Sequence, residues 1–420
     1  MIVTPAKTGP VDAKVTAPPS KSYTHRALVT GALASGKTVL HHPLYAEDTE
    51  LTIRALTALG IPVEADPFRV TITGCDGKIP ARGGTTLDLN NSGTSLRLIA
   101  SLALLCDTPV VLTGSRRMQE RPVGPLAGAL RDLGGSVAYL GKDGFPPLRV
   151  GGRLKGGPVT IDGSISSQFI SSVLLAAPYA EEPVVVRIPA PPASQSYLDI
   201  TLGVMKSFGV DVERNGYSWF GVKSGQRYRG MNYEIEGDYS SASYFFAIAA
   251  ICGGKVTVDN LRPDSVQGDR RFLDALAAMG CSVSYGADAV TVGRTGPLTG
   301  ISFDMSSSPD TVQTLCMVAA MAGSPTTITG IGQLKYKESD RINGTAERLR
   351  ALGGDVTVGE DSLTIRPAEL RGGTIDPADD HRTAMSFAIL GLGTGGITIT
   401  GAECVAKSFP EFWEILAEVR

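Results

Sequence analysis

Residues 51–63 read LTIRALTALGIPV, an amphipathic run that stops at Gly60 and is followed three residues later by Val63. Apolar side chains at helical spacing, a glycine able to take a left-handed backbone and then a β-branched stretch describe a helix, its C-terminal cap and a strand. The same element returns as Gly134/Val137, Gly209/Val212, Gly280/Val283 and Gly353/Val356, so successive glycines stand 74, 75, 71 and 73 residues apart. A period of that length, met five times, makes the chain an array of one supersecondary unit.

Between these elements runs a second, more apolar helical pattern that opens each time on a small polar cluster. The openings are Ser20 to Ser22, Asn91 to Thr94, Ser164 to Ser167, Asp238 to Ser241, Ser306 to Ser308, and Asp379 to Asp380. Each such helix is expected to end at a turn and run into a β-branched strand such as TVL, VVL or VVVRI, which makes the unit helix, strand, helix, strand with room for further strands. The sixth unit reaches its second helix in FPEFWEILAEV and lacks a closing strand. Residues 1–19 hold strand patterns at IVT and AKVTA that belong to no complete unit, and this segment is expected to complete the sixth repeat.

Composition narrows the function classes. A net charge of −3 leaves no basic excess to neutralise a nucleic-acid backbone, so any anion site must be a local cluster. Six scattered cysteines without a C-x-x-C pair read as reduced thiols rather than a zinc site or a disulfide framework. With no signal-type N-terminus and no run of eighteen apolar residues, the protein is expected in the cytoplasm and off the membrane.

Residues 31–38, GALASGKT, fit the P-loop pattern letter for letter. A working P-loop has a strand before it and a helix after it, whereas here a helical pattern precedes and TVLHH follows, so Gly36 reads as a helix cap. GLGTGG at 391–396 likewise ends a helix. Cations recur at or beside the polar openings: Lys21, Arg26, Arg97 and Arg382, with Arg121, Lys337, Arg341 and Lys407 in compact loops. Any one of them alone reads as a solvated surface charge. Eight at equivalent positions point to anionic ligands, which helix N-termini also favour. Glu338 and Asp310 lie in the same stretches, each readable alone as a first-turn carboxylate. No metal-ligand spacing joins His25, His41, His42 or His381 to a cysteine or carboxylate, and no metal site is expected.

The stretches PSKSYTHRAL, NNSGTSLRL, RRMQERPVGPL, GSISSQF, EGDYSSASYF, SSPD, KESDRI, DDHRTAM and AKSFPEF, in this order from residue 19 to residue 412, closely resemble the 5-enolpyruvylshikimate-3-phosphate synthase family. The resemblance implies an α/β protein of two similar domains, each of three βαβαββ repeats forming an inside-out α/β barrel, with the active site in the interdomain cleft. It puts the domains at 20–237 and at 1–19 plus 238–420, with a hinge near 19–21 and 236–239. It implies transfer of the enolpyruvyl group of phosphoenolpyruvate to shikimate 3-phosphate by addition and elimination, with no cofactor, in a monomer.

Carried over residue by residue, the resemblance implies phosphoshikimate contacts at Lys21, Ser22, Arg26, Ser166, Ser167, Gln168, Ser194, Tyr197, Asp310, Gln333 and Lys337. Phosphoenolpyruvate contacts fall on Lys21, Gly93, Thr94, Arg121, Gln168, Arg341, Arg382 and Lys407. Proton transfer falls to Asp310, Glu338 and Lys21. Three departures stand out: Gln333 where asparagine is common, Gln195-Ser196 in place of Lys-Pro, and Leu98 after Arg97 where proline is common. The alternatives are the sibling that transfers enolpyruvate to UDP-N-acetylglucosamine, which carries a reactive cysteine in the loop equivalent to RRMQERP, and a non-catalytic repeat scaffold. Neither explains the motif set found here.

Overall fold

The structure is a computed structural model that describes every residue except Thr8 and Arg420. Helix–glycine–strand elements form where the periodicity puts them. The helix Glu47–Ala58 closes at Gly60, with φ +87°, and the Gly60 and Ile61 amides donate to the Thr57 and Leu56 carbonyls at 2.9 and 3.1 Å. That pair of bonds satisfies carbonyls the helix end leaves open, and it needs a backbone that only glycine adopts without strain. Gly134, Gly209, Gly280 and Gly353 repeat the positive φ after Gly124–Asp132, Ser196–Ser207, Phe272–Ala278 and Arg341–Ala351.

Two compact units result, Pro19–Ile235 and Met1–Pro18 with Glu236–Arg420. The first starts one residue earlier and ends two residues earlier than the expected 20–237. Within Pro19–Ile235 lie three four-stranded sheets of one design. In the second repeat, Thr86–Asp88 pairs in parallel with Val110–Thr113, which pairs antiparallel with Leu148–Gly152, itself antiparallel to Gly135–Tyr139. The parallel pair needs a crossover, which the helix Gly93–Leu102 supplies. With Gly124–Asp132 the order is βαβαββ.

The N-terminal segment corrects one expectation. Ile2–Thr4 does join the sixth repeat, antiparallel to Ile397–Ile399, which pairs in parallel with Gly373–Ile375. Val11–Thr16, the AKVTA stretch, instead pairs in parallel with Gly254–Asp259 and supplies the first strand of the fourth repeat. Correspondingly, Asn232–Glu234 pairs in parallel with Lys37–His41 and supplies the first strand of the first repeat. Strand pairing joins residues far apart in sequence, and local periodicity does not say which neighbour a strand will take.

Each unit has its own apolar core. At its centre are the helices that open on polar clusters: eleven of thirteen residues are buried in Lys21–Leu33, and thirteen of fourteen in Tyr239–Cys252. A helix apolar on all sides belongs inside, and its few hydroxyls must find partners there. Ser171 bonds Thr201 at 2.8 Å and Ser101 bonds Ser172 at 2.6 Å, tying Gln168–Ala176 to its neighbours. Gln313 does the same in the other unit, donating to Thr345 at 3.0 Å and Thr383 at 2.8 Å.

The P-loop pattern is resolved by order: helix Lys21–Leu33 precedes Gly36, with φ +85°, and strand Lys37–His41 follows. At the chain crossing, Asp238 accepts from the Ser241 amide at 2.8 Å and caps Tyr239–Cys252. A Cβ on Gly237 would overlap the Asn260 carbonyl oxygen. Gly237→Ala is therefore expected to cost roughly 1–3 kcal/mol, as overpacking against backbone does, and a denaturant midpoint equal to wild type would show that the crossing relaxes freely.

Candidate functional site

In the unit Pro19–Ile235 the polar helix openings carry the expected residues. Lys21 begins its helix and donates to Asp48 Oδ2 at 3.2 Å. Arg26, one turn on and fully buried, donates from Nε to Thr201 at 2.7 Å, from Nη1 to the Ser22 carbonyl at 3.0 Å and from Nη2 to the Tyr197 carbonyl at 3.1 Å. Burial lowers its pKa to about 10, against the opposing influence of Tyr197 and Tyr23. The Arg26 bonds bring Ser22 and Tyr197 together, with Lys21 next to Ser22 in the chain. Ser194 lies near by in sequence with φ +57°, a left-handed backbone on a non-glycine residue, the kind of strain that collects at ligand sites.

The second and third openings meet through Gln168. Its amide donates to Thr94 Oγ1 at 2.9 Å while its carbonyl oxygen accepts from Arg97 Nη1 at 2.7 Å, which settles which way the amide faces. Ser166 accepts from the Gln168 amide nitrogen of the backbone at 3.3 Å, and Ser167 precedes the helix Gln168–Ala176. Arg121, buried, donates from Nη1 to the Asn91 carbonyl at 3.0 Å and lies over Gly93, where a Cβ would come within 2.7 Å of Nη2. Of the polar openings, Ser92, Asp238 and Asp380 act as side-chain caps, whereas Ser20 and Ser167 make no side-chain cap bond.

In the other unit the charges form a closed network around Arg341. Its Nε and Nη2 grip the two oxygens of Asp380 at 2.8 and 3.1 Å, Nη2 also reaches Glu338 at 2.7 Å, and Nη1 reaches Asp310 at 3.3 Å. Arg382 Nη2 donates to the other oxygen of Asp310 at 2.8 Å. Burial disfavours the Arg341 guanidinium charge, but Asp380, Glu338 and Asp310 outweigh it and drive the pKa well above the usual arginine value. Asp310 keeps 18% of its side chain accessible. Gln333 lies buried in the turn Gly332–Tyr336 and donates to the Gly330 carbonyl at 3.3 Å; Lys337 follows it, and buried Lys407 ends the turn Ala402–Lys407.

The expectation of eight cations waiting for anions is thus sharpened: Arg341 and Arg382 already hold carboxylates of their own unit. The partners that do this carry no local signal of the role. Asp380 looked like a cap, which it also is, accepting from the Arg382 amide at 3.0 Å. Asp48 carries no motif and sits in the first turn of Glu47–Ala58, and Asn91 read as part of a polar helix opening. Their second roles depend on residues 27 to 39 positions away and leave no local signal. Among the described residues no group of three or more His, Cys, Asp or Glu is arranged to hold a metal ion. No helix among them is long and apolar enough to cross a membrane.

A family model described as EPSP synthase (3-phosphoshikimate 1-carboxyvinyltransferase) matches residues 5–416. A relative named 3-phosphoshikimate 1-carboxyvinyltransferase from Methanoculleus marisnigri is 65% identical over 416 residues, covering 99% of each chain. One of the same name from Escherichia coli O6:H1 is 43% identical over 413 residues, covering 97% of this chain and 96% of its own. Among solved structures, an EPSP synthase from Acinetobacter baumannii superposes with a TM-score of 0.82 at 30% identity, over 99% of this chain and 98% of that one.

Proposed function

Because the chain belongs to the EPSP synthase family and transfers the enolpyruvyl group of phosphoenolpyruvate to the 5-hydroxyl of shikimate 3-phosphate, we propose that Asp310 is the base for that hydroxyl. The observation that carries this reading is the setting of Asp310: held at 2.8 Å by Arg382 and 3.3 Å by Arg341, yet with part of its side chain open. Guanidinium neighbours favour the carboxylate form, and an open edge leaves it able to receive a proton.

In the addition half the hydroxyl oxygen bonds to C2 of phosphoenolpyruvate, its proton passes to Asp310, and C3 takes a proton to become a methyl group. In the elimination half C3 gives up a proton, the double bond reforms and the C2–O bond to phosphate breaks. Lys21, which donates to Asp48 at 3.2 Å, is proposed as the donor to C3. Glu338, beside Arg341 at 2.7 Å, is favoured as a carboxylate and suits acceptance from it. The substrate contacts are proposed for the residues the resemblance implies. Phosphate release that requires both substrates, and calorimetry in which phosphoshikimate promotes binding of glyphosate, the inhibitor that the family resemblance implies for the phosphoenolpyruvate site, test the reading; glyphosate binding unaffected by phosphoshikimate would count against it.

Gly93 is proposed to leave space for phosphoenolpyruvate and glyphosate below Arg121. Gly93→Ala forces the Arg121 guanidinium aside, because a Cβ would stand 2.7 Å from Nη2. The expected result is a rise of roughly 10-fold or more in the phosphoenolpyruvate KM and in the glyphosate inhibition constant, the loss of about one charge-assisted contact. Unchanged constants would mean that Arg121 swings away without consequence. A monomeric, cytoplasmic enzyme is likewise proposed, and sedimentation of the purified protein as a 43.9 kDa species checks the first of these.

A further inference from the structure

Asp269 lies in the turn Gly268–Arg271 and is 5% exposed. That turn packs against the turn Pro309–Thr311, which carries Asp310, and the Ser308 hydroxyl donates across to the Gly268 carbonyl. It also packs against the start of helix Tyr239–Cys252, where the Ser240 hydroxyl donates to Asp269 Oδ2. The charged groups facing Asp269 from these elements and from helix His381–Thr394 are Asp310, Asp238 and Arg382. On its own turn, Arg270 and Arg271 lie over the rings of Tyr285 and Phe303.

Two neighbouring carboxyls, one of them buried, cannot both ionise freely, and the proton stays on the one with weaker support for its charge. Asp310 has two guanidinium partners and an open edge. Asp269 is buried more deeply and receives a neutral hydroxyl. Burial first, then the charge of Asp310, pushes the Asp269 carboxyl up to about 7. Environments that drive two carboxyls apart in this way separate a proton-holding member from an ionised one.

We propose that Asp269 is a positioning residue for the transfer reaction: as the protonated member of an Asp269–Asp310 pair, it leaves Asp310 ionised for the substrate hydroxyl and adds no second negative charge that draws on Arg382. The proposal rests on the assignment of Asp310 as the base. As pH rises through about 7, Asp269 loses its proton and the new charge competes for Arg382.

Asp269→Asn keeps an acceptor for Ser240 and cannot ionise. The ratio of variant to wild-type kcat/KM for phosphoenolpyruvate is expected to rise at least about threefold from pH 6 to pH 8.5, since ionisation of the substrate phosphates cancels in the ratio. A ratio that stays constant overturns the proposal. Stability gives a readout apart from catalysis. A carboxyl raised in the folded state favours the folded protein below the unfolded value near ~4 and loses that contribution as pH climbs to about 7. The melting temperature of the variant should therefore gain on wild type between pH 5 and pH 8, and an unchanging gap refutes the assigned proton.

Should the variant not fold, carbon-13 labelled aspartate in the wild-type protein supplies the same information. One carboxyl signal is expected to titrate near neutrality, and its absence overturns the proposal. Asp310→Asn separates the two readings. Retained turnover in that variant removes the base assignment, while the melting-temperature gap of Asp269→Asn still reports where the proton sits.

Discussion

Replacing Asp310 by alanine is expected to lower turnover by at least about 100-fold, the usual weight of a positioned general base, while phosphoshikimate still binds. The change removes a carboxylate that Arg382 holds at 2.8 Å and Arg341 at 3.3 Å, so both guanidiniums keep their charge and phosphoenolpyruvate affinity should hold or tighten. Kinetically the loss falls on kcat and leaves KM nearly alone, the pattern of an interaction made in the transition state. Near-normal turnover with intact binding would remove Asp310 from the chemistry and leave Glu338 as the nearer candidate.

Arg341→Ala is expected to have the largest effect on stability. Arg341 is 2% exposed and Asp380 is fully buried, so truncation takes from Asp380 the guanidinium that grips both its oxygens and from Glu338 a contact at 2.7 Å. Breaking one side of such a buried network costs about 3–5 kcal/mol. For a unit of roughly 200 residues that is a fall on the order of 10 °C in Tm. Arg341→Lys keeps the charge but lacks the fork that grips both oxygens of Asp380, and an intermediate loss is expected. Scanning calorimetry of the three proteins checks the series; equal melting temperatures for the lysine and arginine forms would show that charge alone matters.

Much of the local structure is legible in the amino-acid sequence. Gly60 and its four counterparts close their helices with positive φ because the periodic run before each one and the β-branched stretch after it leave that conformation as the consistent choice. The P-loop pattern at 31–38 was separable from a phosphate site for the same reason, since helix before and strand after are local facts. The proposed ligand residues rest on motif resemblance, and the structure gathers Arg26 with Tyr197, Gln168 with Thr94, and Arg341 with Glu338 and Asp310.

The repeat, the elements within it and the residue types at each polar helix opening follow from local rules, because capping, helical period and glycine conformation act over a few residues. Tertiary structure alone decided which strand each sheet receives: Val11–Thr16 goes to Gly254–Asp259 and Asn232–Glu234 to Lys37–His41. It alone made Asp380 the grip on Arg341, thirty-nine residues away, and placed the turn of Asp269 against that of Asp310. Pairing and burial are set by which surfaces meet in space, and a carboxylate's charge is set in turn by the partners and water it meets there.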